Sequence, residues 1–380
     1  MSLDVVVVGA GAMGAATAWQ AAKLGADVTL LDRGQVCGGT SAHGVGLVTR
    51  LLWEPPDIGL VAHSLDRFRE LDETAGASFD YHDTGSLLIV GPEHEDEVQK
   101  VFRTWRAQAI DVRPVSPGDV AEIPGCADLE LAKAEHAFFT EADGWCVTMD
   151  AVRAMVDEAR SHGANVRPNT PVDRVRDGLV RLADGDELEA EAVVVAAGVR
   201  SRQLIEDGWR PPIDAFRAQA AVLGHEGNRS GPIVHDTPNR TYWRPEGSGQ
   251  VMIGDGTDLS SHEPGLEPSV DEAFAHRVAE RLRDRWPAAD PIHEVRSWAD
   301  LEAATPDARP LVGRVPDRER VYLCTGGNGF GFMRSPALGE GLAQRIVQKG
   351  SPVPLHGCEP SRFEEGYGTG FPMQEGFALD

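Results

Sequence analysis

Asp4-Val-Val-Val-Val8-Gly9-Ala10-Gly11-Ala12-Met13-Gly14 stands almost at the start of this 380-residue chain. Its first five residues form a short, mostly β-branched apolar run, the pattern of a strand buried on both faces of a parallel sheet. Ala15 to Leu24 reads as an alanine-rich helix stopped by Gly25, and Val28-Thr-Leu-Leu31 as a second buried strand ending at Asp32-Arg33. Strand, helix and strand make a βαβ unit with GxGxxG at its first turn. Gly9 permits the tight turn, Gly11 lets backbone approach a pyrophosphate, and Gly14 lets the helix pack close to the strand. Ala10, Ala12 and Met13 complete the turn, and the helix N-terminus offers N–H groups and positive dipole to phosphate. Asp32, 18 residues after Gly14, stands where a carboxylate accepts bonds from ribose hydroxyls, with Arg33 beside it. The motif alone does not separate NAD from FAD.

Three later segments separate them. Cys37-Gly-Gly39-Thr40-Ser41 follows the second strand, and Ala42 to Arg50 continues it through Val45, Gly46 and Leu47. Small residues there let backbone and hydroxyls wrap a second part of the cofactor; a plain surface loop is the alternative. Glu191-Ala-Val-Val-Val-Ala-Ala197-Gly198 is another buried strand ending in small residues, and it follows the likewise strand-like Val172-Asp-Arg-Val175. Val321 to Thr325 leads into Gly326-Gly-Asn-Gly329-Phe330-Gly331-Phe332, and a helix is predicted from Pro336 to Gln348 with proline in its first turn.

In their order and spacing these residues resemble the D-amino-acid oxidase superfamily of FAD enzymes, most of all its sarcosine and glycine oxidase branch. Thr305-Pro-Asp307 and Arg309 to Gly313 add to the likeness, which extends to about residue 350. The resemblance implies an α/β fold: a discontinuous Rossmann-type FAD-binding domain (1–80, 145–212 and 300–350) and a mixed or antiparallel β-sheet substrate domain (81–144 and 213–299). Strand patterns at Ser86–Val90, Asp214–Leu223, Arg240–Arg244 and Gln250–Ile253 fit that partition, with a turn at 245–249. Helical patterns run through Ile58–Ala75, Met149–Gly163 and Ser269–Trp286. The tail, 351–380, is rich in Pro, Gly and acids and reads as extended or disordered.

The chemistry implied is oxidation of a C–N bond in a small amine or amino acid, of N-methyl, D-amino-acid or glycine type, by hydride transfer to flavin N5. Gly329 to Phe332 would present backbone N–H groups to negative charge on the flavin pyrimidine, unless the glycines merely turn the chain. Arg50 matches a carboxylate-binding arginine of the sarcosine oxidase pattern; a surface salt bridge is the alternative. Tyr242 matches a substrate-domain tyrosine facing the flavin, or is a half-buried strand aromatic. Arg244 is a second candidate clamp. His43, on the flavin loop, reads as an uncharged neighbour of the cofactor with no partner acid in view.

Three positions depart from the family pattern. Covalent members carry a cysteine where this chain has Asp300, so non-covalent FAD is expected. Glycine and D-amino-acid oxidases carry an arginine where this chain has Glu302, which would repel a substrate carboxylate and attract an ammonium, or is a solvated loop acid. Where the sarcosine oxidase branch activates O₂ with a lysine, this chain has Met333, with Arg334 adjacent. That favours a dehydrogenase passing electrons to a quinone or carrier over an oxidase using O₂. An FAD-dependent 2-hydroxy-acid or polyol dehydrogenase, or a non-redox flavoprotein subunit, stays open beside the amine reading.

Composition bounds the partners. Asp plus Glu number 60 against 36 Lys plus Arg, for a formal net charge of −24, and only Lys23, Lys100, Lys133 and Lys349 are lysines. Such acidity argues against nucleic acid and against anionic lipid. With 41% hydrophobic residues the chain is able to bury a core. The acidic, lysine-poor balance looks like that of proteins from a halophile. Five cysteines, an odd number with no CxxC, fit a reducing cytoplasm. No apolar run reaches the ~18 residues of a membrane span, no basic leader precedes the first strand, and the histidines lack HExxH spacing, so no metal is expected.

Overall fold

β1 (Asp4–Val8) is paired in parallel on both sides, with β2 (Asp27–Leu31) and with strand Ala192–Val195. Val5 to Val8 are at most 5% exposed, which is why the run carries no polar residue. α1 (Ala12–Lys23) connects β1 to β2. The computed structural model describes residues 2–205, 208–226, 230–247, 249–256 and 268–364. The sheet extends from β2 to Asn165–Arg167, and on the other side from Ala192–Val195 to Val321–Thr325 and the antiparallel Leu311–Arg314. Strand order reverses at β1, and the crevice at the carboxyl ends of such strands is where open α/β sheets bind ligands. α1 is buried along almost its whole length, packed against helices Thr148–Ser161 and Gly331–Val347. Its alanines suit that confinement.

A second sheet of eight strands faces this crevice. Its order is His293–Ala304, Asp214–Gly224, Gln250–Gly254, Thr241–Pro245, Ile233–Asp236, Ser86–Val90, His136–Thr140, Arg113–Val115. All neighbours are antiparallel except Ile233–Asp236 with Ser86–Val90. Period-two alternation sorts its faces. Leu87, Ile89, Phe139, Val234, Trp243 and Ile253 turn outward onto helix Phe274–Arg285, meeting Phe274, Val278 and Leu282. Leu88, Val90 and Phe138 turn inward and join the core that holds α1. Short strands Leu47–Val48, Gly144–Cys146 and Tyr81–His82 form a small sheet between the two. Among the described residues no helix is long and apolar enough to cross a membrane.

The structure differs from the sequence expectations at four places. Helix Gly331–Val347 starts five residues before Pro336, leaving proline inside it. The carbonyl of Phe332, which proline's missing N–H leaves free, accepts the Ser335 hydroxyl at 2.8 Å instead. Helix Phe274–Arg285 starts later than Ser269, because the Asp271 carboxylate takes the Ala273 N–H at 3.1 Å and holds a turn there. Strand His293–Ala304 was not predicted, and the expected domain boundary at residue 300 cuts through it: Asp300 and Glu302 sit on the eight-stranded sheet, paired with Ala218 and Phe216. The tail is packed as far as it is described. Val353, Leu355, Cys358 and Phe363 are buried, the first three in the same core as α1. Residues 365–380 and Ser248 of the expected turn lie outside the described residues.

All five cysteines are buried and none is bonded to another. Leu355 is 0% exposed, so Leu355→Ala is expected to cost about 3 kcal/mol. Urea unfolding at constant m-value checks this; a tail that contributes nothing would change stability by less than about 0.5 kcal/mol.

Candidate active site

The cofactor cradle is a place without room for side chains. Gly9 has φ +108°, and a Cβ there would lie 2.5 Å from the Ala196 carbonyl oxygen; a Cβ on Gly14 would lie 1.8 Å from that of Gly9. The β1 turn, α1 and the end of strand Ala192–Val195 therefore meet backbone to backbone. Gly11 is the extended residue before α1, and its missing Cβ would face only the Ser41 hydroxyl, at 3.1 Å. That hydroxyl accepts the Ala12 N–H at 3.0 Å, which brings the 37–41 segment to the helix N-terminus. The Asp32 carboxylate accepts Ala10 N–H at 2.7 Å and Gly34 N–H at 2.8 Å. Two acceptor positions on it remain for hydroxyls. Arg200, unremarked in the sequence, is destabilised as a cation by burial and then by the charge of Arg33. An anion between the two would relieve both. Val172 and Ala197 are half-buried against the opposite side of the first sheet, and Gly198 opens the turn that carries Arg200. These residues fit a dinucleotide such as FAD.

The second glycine loop is held from below. Asn328 accepts Thr305 N–H at 2.8 Å and donates to the Gly326 carbonyl at 2.6 Å. Arg334, 0% exposed, donates to the Gly327 carbonyl at 2.6 Å and to that of Phe330 at 3.3 Å, and is ion-paired with Asp57. Met13, at the start of α1, reaches this loop, since its Cε lies 3.3 Å from where a Gly331 Cβ would be. The Gly329 N–H goes to the Glu302 carboxylate and that of Phe330 to the Gly327 carbonyl. The N–H groups left for a bound ring are those of the helix's first turn, Gly331 and Phe332. Met333, in the same turn, is buried in the core.

On the other wall, Arg50 is fixed rather than free. Its Nε donates to Asp143 Oδ1 at 2.6 Å, its backbone N–H to Asp143 Oδ2 at 2.9 Å, and Thr49 adds a third bond to the same carboxylate. Asp143 is 0% exposed. Arg50 Nη2 is buried with no hydrogen-bond partner among the described residues. An orphaned guanidinium edge costs stability unless a ligand fills it. Asp143, in Glu141-Ala-Asp-Gly144, carries no local signal in the sequence that separates it from any turn acid.

Tyr242 lies over Gly254 of the neighbouring strand, where a Cβ would come within 2.2 Å of the phenol oxygen. Burial, and then the charges of Glu302 and Asp255, push that phenol well above its usual range. His235 is its cross-strand neighbour, with ring centroids 6.5 Å apart, and burial lowers it to about 3. Arg244 is not available as a clamp. Its Nε donates to the Val45 carbonyl at 2.7 Å, Nη1 to the Pro245 carbonyl and Glu246, Nη2 to Met252 Sδ, and the plane lies 4.1 Å from the Trp145 ring centroid. It braces the segment after residue 41 at Val45.

Burial raises the Glu302 carboxyl to about 7; the Gly329 N–H opposes the rise, Asp300 adds to it, and Arg334 opposes it. His43 does have an acid partner: its Nδ1 is 2.6 Å from Asp300 Oδ2. Thr40 donates to the Leu301 carbonyl at 2.7 Å and Trp298 Nε1 to the His43 carbonyl at 2.9 Å. The loop at residues 40–43 is thus stitched to strand His293–Ala304.

Known proteins resemble this chain in sequence and in fold. Human mitochondrial sarcosine dehydrogenase is 26% identical over 95% of this chain, which spans 41% of that protein's length. Glycine oxidase of Geobacillus kaustophilus is 24% identical over 91% of this chain and 93% of its own. The crystal structure of L-proline dehydrogenase from P. horikoshii superposes with a TM-score of 0.88 at 22% identity, covering 96% of this chain and 98% of that one, a likeness of fold. The family model described as FAD dependent oxidoreductase matches residues 4–345, through both glycine loops, the Asp32 strand end and the edge strand of the second sheet. The chain therefore belongs to the FAD-dependent oxidoreductase family.

Proposed function

We propose that this chain oxidises a C–N bond in a small amino or N-alkylamino acid. The six-stranded side holds FAD and the inner face of the eight-stranded sheet holds the substrate. When bound, FAD supplies the two-electron acceptor for hydride. The observation that carries the reading is Arg50, a guanidinium oriented by buried Asp143 with one buried nitrogen unpartnered among the described residues. That is the donor a substrate carboxylate requires. Glu302, beside Tyr242, favours an amine over a hydroxyl at the reacting end, because an ammonium gives a carboxylate a charge-assisted hydrogen bond and an alcohol only a neutral donor. The inner strand face and the core beneath it exclude water from the reacting bond. Named relatives act on sarcosine and glycine, which supports a small carboxylate-bearing amine. Anaerobic titration tests this: FAD is bleached by N-methyl or α-amino acids. Bleaching by 2-hydroxy acids alone, or by neither class, overturns the reading.

FAD is held without a covalent bond. Asp300 is engaged with His43, and Cys324 is 0% exposed and bonded to Thr17 of α1. Electrons leave to a quinone or protein carrier rather than to O₂. Met333 brings no charge to the loop, and the charge of Arg334 is matched by Asp57.

Three outcomes follow. Arg50→Lys is expected to weaken binding of an amine-free carboxylate inhibitor by about 10- to 100-fold, read from the flavin absorbance shift, with the FAD spectrum otherwise unchanged. Acid precipitation is expected to leave the yellow colour in the supernatant, and a coloured pellet would contradict non-covalent binding. Dithionite-reduced protein is expected to reoxidise slowly in air and quickly with a soluble quinone, so stopped-flow reoxidation by air at the quinone's rate rejects the carrier assignment.

A further inference from the structure

We infer that Glu302 takes the proton released when the substrate's ammonium becomes a neutral amine, and that Asp300 and His43 pass it to solvent. This rests on the amine-oxidation reading above.

The placement comes first. Trp298, Asp300 and Glu302 share one face of strand His293–Ala304 by its two-residue alternation. Glu302 is at the inner end, under the glycine loop, with the Gly329 N–H on its carboxylate. Asp300 is two residues toward the rim, about 6.8 Å along the strand, close enough that its charge acts on Glu302. Its Oδ2 meets His43 Nδ1 at 2.6 Å. Side-chain exposure rises along the row, from 24% at Asp300 to 51% at His43. A half-buried carboxyl under the glycine loop is thus followed, toward solvent, by an acid and an imidazole.

The groups facing Glu302 leave it free to change charge. Arg334, on helix Gly331–Val347, is paired with Asp57 of helix Pro55–Ala75. Tyr242 stays a neutral phenol, and burial keeps its neighbour His235 uncharged. Asp255, the other acid that reaches Tyr242, is held by Arg277 and Arg281. Asp300 Oδ2 is in contact with His43 Nδ1. With a carboxyl lifted to about 7, Glu302 is poised near neutrality, where a general base works best.

The step balances. The ammonium N–H bond breaks, its electron pair stays on nitrogen, and the proton goes to a Glu302 oxygen. That lone pair then forms the C=N bond as hydride leaves the carbon for FAD, and water hydrolyses the resulting iminium. The substrate loses one proton and one hydride. The proton on Glu302 moves to Asp300 and leaves from His43.

The experiment uses the FAD-loaded protein. Calorimetry at pH 6 in two buffers of different ionisation enthalpy measures proton release on binding 2-aminoisobutyrate, which has no hydrogen on its α-carbon, with isobutyrate as the amine-free control. Wild type is expected to release approaching one proton with the amine and none with the control; Glu302→Gln is expected to release none with either. In anaerobic reduction by a reactive amine, the wild-type rate rises with pH through about 7, and Glu302→Gln moves that limb to the amine's own ionisation. His43→Asn slows reduction at low buffer concentration, and added imidazole restores it, which a merely dislodged loop would not allow. No proton release by wild type overturns the base assignment even if the variant fails to fold. An unchanged limb in Glu302→Gln overturns it as well, and failure of imidazole rescue overturns the exit route. If no amine reduces the wild-type FAD, the amine reading itself has failed, and that result is distinct from these.

Discussion

Residue 14 has no room for anything beyond its own Cα. The 1.8 Å separation between a hypothetical Gly14 Cβ and the Gly9 carbonyl fixes how closely α1 lies on β1. From that contact follows the burial of α1 among small residues, the convergence of Ala196 on the same turn, and the crevice between the carboxyl ends of the strands. The fully buried Arg334 plays a corresponding part on the far side. It ties the carbonyls of Gly327 and Phe330 to Asp57, so the second glycine loop is positioned by a charge rather than by packing alone. A buried charge of this kind is costly to leave unpaired.

The two sheets meet at a seam of polar contacts. Thr40, His43 and the carbonyl of His43 bind Leu301, Asp300 and Trp298, and Arg244 holds the Val45 carbonyl from strand Thr241–Pro245 of the same sheet. The segment around residues 40–45 is thereby fixed to the second sheet. Movement of the edge strand would be felt at residues 40–43. That coupling is direct contact through hydrogen bonds and needs no further element.

The first 33 residues are legible because each signal is local: β-branched runs, glycines at fixed offsets, an acid at a strand end. Tyr242 and Glu302 were legible as positions but not as neighbours. Their proximity depends on strand His293–Ala304, whose polar N-terminal half, lying exposed at a sheet edge, shows no hydrophobic alternation to read. The partners of Arg50 and His43 are 93 and 257 residues away in the chain. Nothing in the neighbourhood of either residue encodes such a meeting. Arg244 was misread as a clamp because an arginine on the inner face looks available until its carbonyl, thioether and indole partners are placed. The helix start at Gly331 was hidden by Pro336, since the rule that proline stays in the first turn assumes that no side chain takes over the abandoned carbonyl.

The buried cysteines have a practical corollary. Burial raises the thiols of Cys37, Cys146, Cys324 and Cys358 above their ordinary range, and Cys126 is likewise enclosed. The thiolate is the reactive species, so all five are shielded from soluble electrophiles while the fold is intact. A cysteine placed on the surface, at exposed Val295 for instance, would carry a fluorophore or spin label selectively. The native sequence thus offers a nearly silent background for reporters set on either side of the seam.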